Sequence, residues 1–198
     1  MPVNVNSAAQ QLARSILAAV SRDWAALSEA ERAAWTMYAD NTPVTDRYGY
    51  NITLSGSAMY TRVNCARLSA GLITLSAAPT TFGLPASDPL ISATIVAEDG
   101  EASVVFDPTQ EWATQVGGKL LLYAGRPKNG NIAYYGGPFK QIEGVSGAVV
   151  APTSPATVTM PDALAAGQNI WINYRILTAD GRLSNTFRIG PITVSAGS

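Results

Sequence analysis

Apolar residues recur at two different periods along this chain, and the change falls near residue 80. Between Ser7 and Ala26, Leu12, Ile16 and Val20 are spaced by four, with Leu17 and Trp24 beside them among Ala, Gln and Arg. One such stripe predicts an amphipathic helix, capped at its start by Asn6 or Ser7. Ser28, Glu29, Ala30 and Glu31 form a capping-box sequence that opens a second helix. Ala34, Trp35 and Tyr38 make its buried side, and Asn41-Thr42-Pro43 ends it. Residues 43–54 read as irregular or briefly extended, with a turn signal at Asp46, Arg47, Tyr48 and Gly49. Ser55 caps a third helix that runs to about Ala70 and carries Met59, Val63 and Ala66 on one face. Gly71 stands in the favoured position after its end.

From Ile91 onward the period is two. Ile91, Ala93, Ile95 and Ala97 alternate with Ser92, Thr94 and Val96, and Asp99-Gly100 supplies a hairpin turn. Further strands are expected at Ser103–Phe106, Lys119–Ala124, Thr157–Met160, Ile170–Leu177 and Phe187–Val194, with a second turn at Ala179–Arg182. Trp171 and Tyr174 fall on opposite faces of their strand. Pro191 removes a ladder donor, which predicts an edge or a bulge. Roughly six or seven strands separated by turn signals predict an antiparallel β-sandwich. Between the two regimes, Pro79, Pro85 and Pro89 mark an extended linker. The expected architecture is therefore α+β: a helical assembly or anchoring domain over 1–78, a Pro-rich linker over 79–89, and a β-sandwich over 90–198.

Composition narrows the chemistry. The chain of 198 residues is 47% hydrophobic, so it can build a core, and only 14% charged, so few ions need desolvating when its surface meets another subunit. The net charge is -1. The sequence shows six Arg, no Lys and five acids in residues 1–80, then seven basic and nine acidic residues after them. Neither part is a cationic field for phosphate, so nucleic acid is not an expected main partner. The absence of histidine removes Ser–His–Asp and Cys–His catalysis and His-ligated metal. Cys65 is the single cysteine and reads as a small core residue. Glu98, Asp99 and Glu101 cluster on a hairpin tip, where they read as a solvated turn without calcium-loop spacing. No catalytic residue, cofactor or metal is expected. No secretory signal or membrane-length apolar run is evident.

Candidate contact residues lie in the loop Gly125–Pro138. Tyr134 and Tyr135 sit among small residues, with Arg126 and Lys128 nearby, and could form a contact surface or a sugar-stacking platform. In the helical region Trp24, Leu27, Trp35 and Tyr38 are the expected core.

Two resemblances bear on the helical region. Trp24, Leu27-Ser28, Glu31-Arg32, Ala34-Trp35, Tyr38-Ala39, Gly49, Leu54-Ser55-Gly56, Tyr60, Asn64, Arg67-Leu68 and Gly71-Leu72 resemble a module of uncharacterised bacteriophage and prophage proteins, over about residues 20–85. That resemblance implies a non-enzymatic virion structural role, as a capsid decoration, neck or tail component. Its partners would be other virion proteins and further copies of itself. The protein would be made in the host cytoplasm and located in the virion. The same Trp24 to Ala39 stretch is similar to the later helices of an HMG box, which implies a DNA-associated alternative. The lack of lysine there departs from that pattern. Past the linker, Val104–Pro108, Lys119–Tyr123 and Leu164–Gly167 resemble a fibronectin type III or immunoglobulin-like domain. Phe106 stands where that family has a core Trp, and Ile170 where it has a Tyr. A carbohydrate- or cell-surface-binding module using Tyr134 and Tyr135 is the further alternative.

Overall fold

The computed structural model describes residues 7–46 and 48–197. The candidate cap Asn6 and Arg47 of the predicted turn lie outside the described residues. The chain is mixed α+β and divides into two compact units. One comprises Met1–Leu84 with Asp180–Arg182, the other Pro85–Ala179 with Leu183–Ser198.

Three helices build the first unit: α1 (Ala8–Ala26), α2 (Glu29–Asp40) and α3 (Gly56–Ser69). Each starts on a serine cap. Ser7 forms a capping box with Gln10 and Ser28 one with Glu31, while the Ser55 hydroxyl accepts from the Ala58 amide. These bonds satisfy amides that lack a partner inside the helix. Glu31 sits below its usual carboxyl pKa because the Ser28 side chain and backbone donate to it. The short strands β1 (Val44–Thr45) and β2 (Asn51–Ile52) pair between α2 and α3, closed by Asp46 accepting from the Tyr48 and Tyr50 amides.

The core of this unit is aromatic. Trp35 and Tyr60 meet edge to face with centroids 5.3 Å apart, Trp24 lies 5.3 Å from Tyr60, and Trp35 packs at 6.0 Å on Tyr38. Trp35 and Tyr38 are fully buried, Leu27 is buried, and Trp24 is half-buried beneath the Arg32 guanidinium. Burial pushes the Tyr38 and Tyr60 hydroxyls up to about 12. Gly56 permits α2 and α3 to approach, since a Cβ there would lie 2.5 Å from the Thr36 hydroxyl oxygen and 2.8 Å from its backbone nitrogen. The chain after α3 is tied back over the helices. Trp35 Nε1 donates to Ser76 O, Asn64 exchanges bonds with Leu75, Arg67 Nε donates to Ile73 O and Thr74 donates to Asp23. Cys65 is half-buried, and burial raises its thiol pKa.

The second unit holds β3 (Ser92–Val96), β4 (Glu101–Val105), the single-turn helix α4 (Glu111–Thr114), β5 (Lys119–Gly125), β6 (Lys128–Asn129), β7 (Phe139–Gln141), β8 (Val145–Ser146), β9 (Ala156–Thr159), β10 (Gln168–Leu177) and β11 (Phe187–Thr193). All the strand ladders are antiparallel. One sheet runs β3-β4-β9. The other runs β11-β10-β5-β7, with β6 added on β10 and β8 on β5. One core lies between them: Ile95, Ala102, Val104 and Val158 from the first sheet meet Leu120, Leu122, Ile170, Ile172, Tyr174 and Ile176 from the second. Phe106 and Trp112 of α4 close it with rings 5.2 Å apart. Gly118 and Gly147 lie so near the Trp112 carbonyl that no Cβ fits at either position. Opposite Gly190 and Pro191 the register shifts between Ile170 and Ile172, a bulge on the sheet's outer strand. Asp88 anchors the end of the Pro-rich segment, accepting from the Leu90 and Asp107 amides.

Candidate functional site

Strand alternation sends Trp171, Asn173 and Arg175 to the face of β10 away from the core, because Ile170, Ile172, Tyr174 and Ile176 fill the core side. The segment after β6 folds over that outer face. Tyr135 stacks on Trp171 at 5.8 Å and 27°, meets Phe139 edge-on at 5.4 Å, and donates its hydroxyl to Pro138 O at 2.8 Å. Gly125 makes room for the ring: a Cβ there would lie 2.8 Å from Tyr135 Cε1 and 3.2 Å from Trp171 O. Asn169 holds the start of the loop through its side-chain amide, which donates to Gly130 O and Ile132 O, while its oxygen accepts from Thr193.

The two adjacent tyrosines therefore have different places. Tyr135 is 7% exposed and belongs to the base of the loop, whereas Tyr134 is 72% exposed. Arg188, opposite Asn173 in the β10–β11 register, lies 5.4 Å from the Tyr134 centroid and 5.3 Å from that of Phe139. Its Nε donates to Asn173 Oδ1 at 3.1 Å. Lys128 is half-buried, its ammonium 5.2 Å from the Tyr135 centroid, and Arg126 is exposed. Of the four residues the sequence nominated, Tyr134, Arg126 and Lys128 keep some exposure and Tyr135 does not.

Charge on this surface is one-sided. Residues 125–142 contain Arg126, Lys128 and Lys140 and no acid. Lys140 pairs with Asp162 at 2.9 Å. Arg126, Lys128 and Arg188 have no ion pair among the described residues. Further along the same face, burial lowers the pKa of Arg175, which donates to Ser184 O, and raises that of neighbouring Tyr123.

Sequence reasoning missed Arg188, Phe139, Asn169 and Asn173 as members of this surface. Trp171 was legible through its alternation with Tyr174. The others come from three separate strands, and no local signal links them.

Elsewhere, Glu98 and Asp99 line a shallow cavity of about 320 Å³ with Val96, Ala196 and Gly197. Among the described residues no group of three or more His, Cys, Asp or Glu could hold a metal ion. No helix of the described residues is long and apolar enough to cross a membrane.

No protein-family model, curated protein or solved structure matches this chain.

Proposed function

We propose that this chain is a non-enzymatic structural protein of a bacteriophage virion, a capsid decoration, neck or tail component working through contacts with other virion proteins and further copies of itself. The virion assignment rests on the resemblance of residues 20–85 to phage and prophage modules. The observation that carries a contact role is helix α1. It is closed by a capping box, yet only Val20 of its 19 residues is fully buried. Leu12 is 61% and Leu17 51% exposed. Leu12, Ile16 and Ala19 line a groove of about 380 Å³ with Leu68 of α3. Covering a leucine side chain completely is worth about 1.5–3 kcal/mol, so the stripe favours association with an apolar neighbour.

The same reading takes the second unit as an immunoglobulin- or fibronectin type III-like sandwich. In chain order β3, β4, β5, β7, β9, β10 and β11, the first, second and fifth strands share one sheet and the third, sixth and seventh the other. That partition is the one immunoglobulin-like domains use, with the fourth strand here paired to the third.

Mass spectrometry of purified particles tests the role. The chain is expected in fixed proportion to the major capsid or tail protein, and its absence from particles overturns the proposal. Leu12→Asp with Leu17→Asp should keep the fold and remove the chain from particles.

A second reading is carbohydrate or cell-surface binding by the Gly125–Pro138 loop. It is favoured by Tyr134, a 72% exposed ring next along the chain to Tyr135, which is packed on Trp171 and Phe139.

A further inference from the structure

We infer that the ligand of the Tyr134 surface is an acidic polysaccharide, with a sugar carboxylate held by Arg188. This rests on the second reading above, that Tyr134 is a stacking platform, and adds the charge of the sugar to it.

Arg188 carries the inference. Its guanidinium is held over the rings of Tyr134 and Phe139, at 5.4 and 5.3 Å from their centroids. Its Nε is committed to Asn173 Oδ1. Its two Nη groups have no partner among the described residues. An arginine held in this way presents the end-on pair of N–H groups, a planar fork that matches a carboxylate. Little side-chain entropy is left to lose when the carboxylate arrives. Arg126 and Lys128 add positive charge on the same loop, and the nearest acid in the sequence on that side is Glu143. The chain as a whole is at -1, so this excess is local. A neutral glycan would leave three cations without a counterpart, whereas a uronate chain repeats a carboxylate along its length.

Tyr134 supplies the other half of sugar recognition. Its exposed face is apolar and flat, suited to the C–H face of a pyranose. Arg188 lies over one face of the ring, which stays 72% exposed, and the lack of a side chain at Gly136 helps keep it so, because a Cβ there would touch Tyr134 Cε1 at 3.6 Å. A single strand of nucleic acid also needs aromatic stacking and cations, but it stacks successive bases on successive rings. Here the next ring, Tyr135, is buried, and Tyr134 is the exposed aromatic among the described residues of its unit.

The test uses the full chain and titration calorimetry with three probes: oligogalacturonate, its carboxyl-reduced neutral counterpart, and oligothymidylate. Oligogalacturonate should bind at least about tenfold more tightly than the reduced form, the worth of one charge-assisted hydrogen bond. Arg188→Gln should remove most of that preference, with Arg126 and Lys128 keeping the rest, while changing neutral-sugar affinity less than about twofold. Tyr134→Ala should weaken both sugars. Both variants should melt as the parent does, which separates lost contacts from lost folding. Equal affinity for the acidic and reduced sugars removes the inference but leaves the glycan reading standing. Binding of neither sugar removes both. Tighter binding of oligothymidylate than of oligogalacturonate also overturns the inference and makes nucleic acid the ligand.

Discussion

The helical unit and the two-sheet unit bury their apolar residues in opposite ways. The first concentrates its core in a few large rings, Trp24, Trp35, Tyr38 and Tyr60, and leaves the stripe of α1 uncovered at Leu12 and Leu17. The second spreads its core over many aliphatic side chains from two sheets, and its central strand β10 is buried on both faces near Trp171 and Ile172. One unit has a finished core and presents an exposed ring, Tyr134, on a loop. The other carries an apolar helix face that has no cover among the described residues. The lesson is that the same apolar stripe that makes a helix legible need not be the stripe that its own chain buries.

Truncation sharpens this contrast most. Trp35→Ala should cost the helical unit about 3–5 kcal/mol, because one ring joins Tyr38, Tyr60 and the Ser76 carbonyl. Ile172→Ala should cost about 2–5 kcal/mol in the sheet unit, from the transfer of the lost atoms and the cavity they leave. Urea denaturation checks both. Equal small losses would mean the aromatic core is not what holds the helices.

Alkali acts on both units, since burial also raises Tyr123 and Tyr174 of the sheets, but most on the helical one. Burial keeps Tyr38 and Tyr60 protonated up to about 12 in the folded chain. A tyrosine in water gives up its proton at about 10. The folded state therefore keeps protons that the unfolded state releases, so stability is whole below about pH 10 and falls as pH rises toward about 12. Helical ellipticity should be lost in that window. Tyr60→Phe should reduce the loss.

Gly56→Ala should destabilise the helical unit by about 1–3 kcal/mol, since the new Cβ meets Thr36 backbone atoms that cannot swing aside. Thermal melting measures it. Ser28→Ala should cost about 1 kcal/mol through the lost capping box, with no effect on oligogalacturonate binding. A larger cost would show that the turn between α1 and α2 is held mainly by that box.

Much of the fold was legible because its signals are local. Ser28 and Glu31 are three residues apart, and their side chains and backbones satisfy each other without help from the rest of the chain. The alternation of Ile170, Ile172, Tyr174 and Ile176 states which face of β10 is inward. The short elements were not legible. Strands β6 and β8 have two residues each and exist because β10 and β5 offer free ladder groups. Helix α4 is a single turn placed by Trp112 in the core.

Tyr134 and Tyr135 mark where the sequence stops. Composition and periodicity by themselves determine that the chain has helices followed by antiparallel strands, that it lacks histidine chemistry, and that its aromatic loop sits between strands. Two adjacent tyrosines are chemically the same to any sequence argument. Only the fold brings Trp171, Gly125 and Phe139 under one of them and Arg188 beside the other. The reason is physical: a helix cap or a strand period is set by neighbours a few residues away, whereas burial of a loop ring depends on side chains from distant strands meeting in three dimensions.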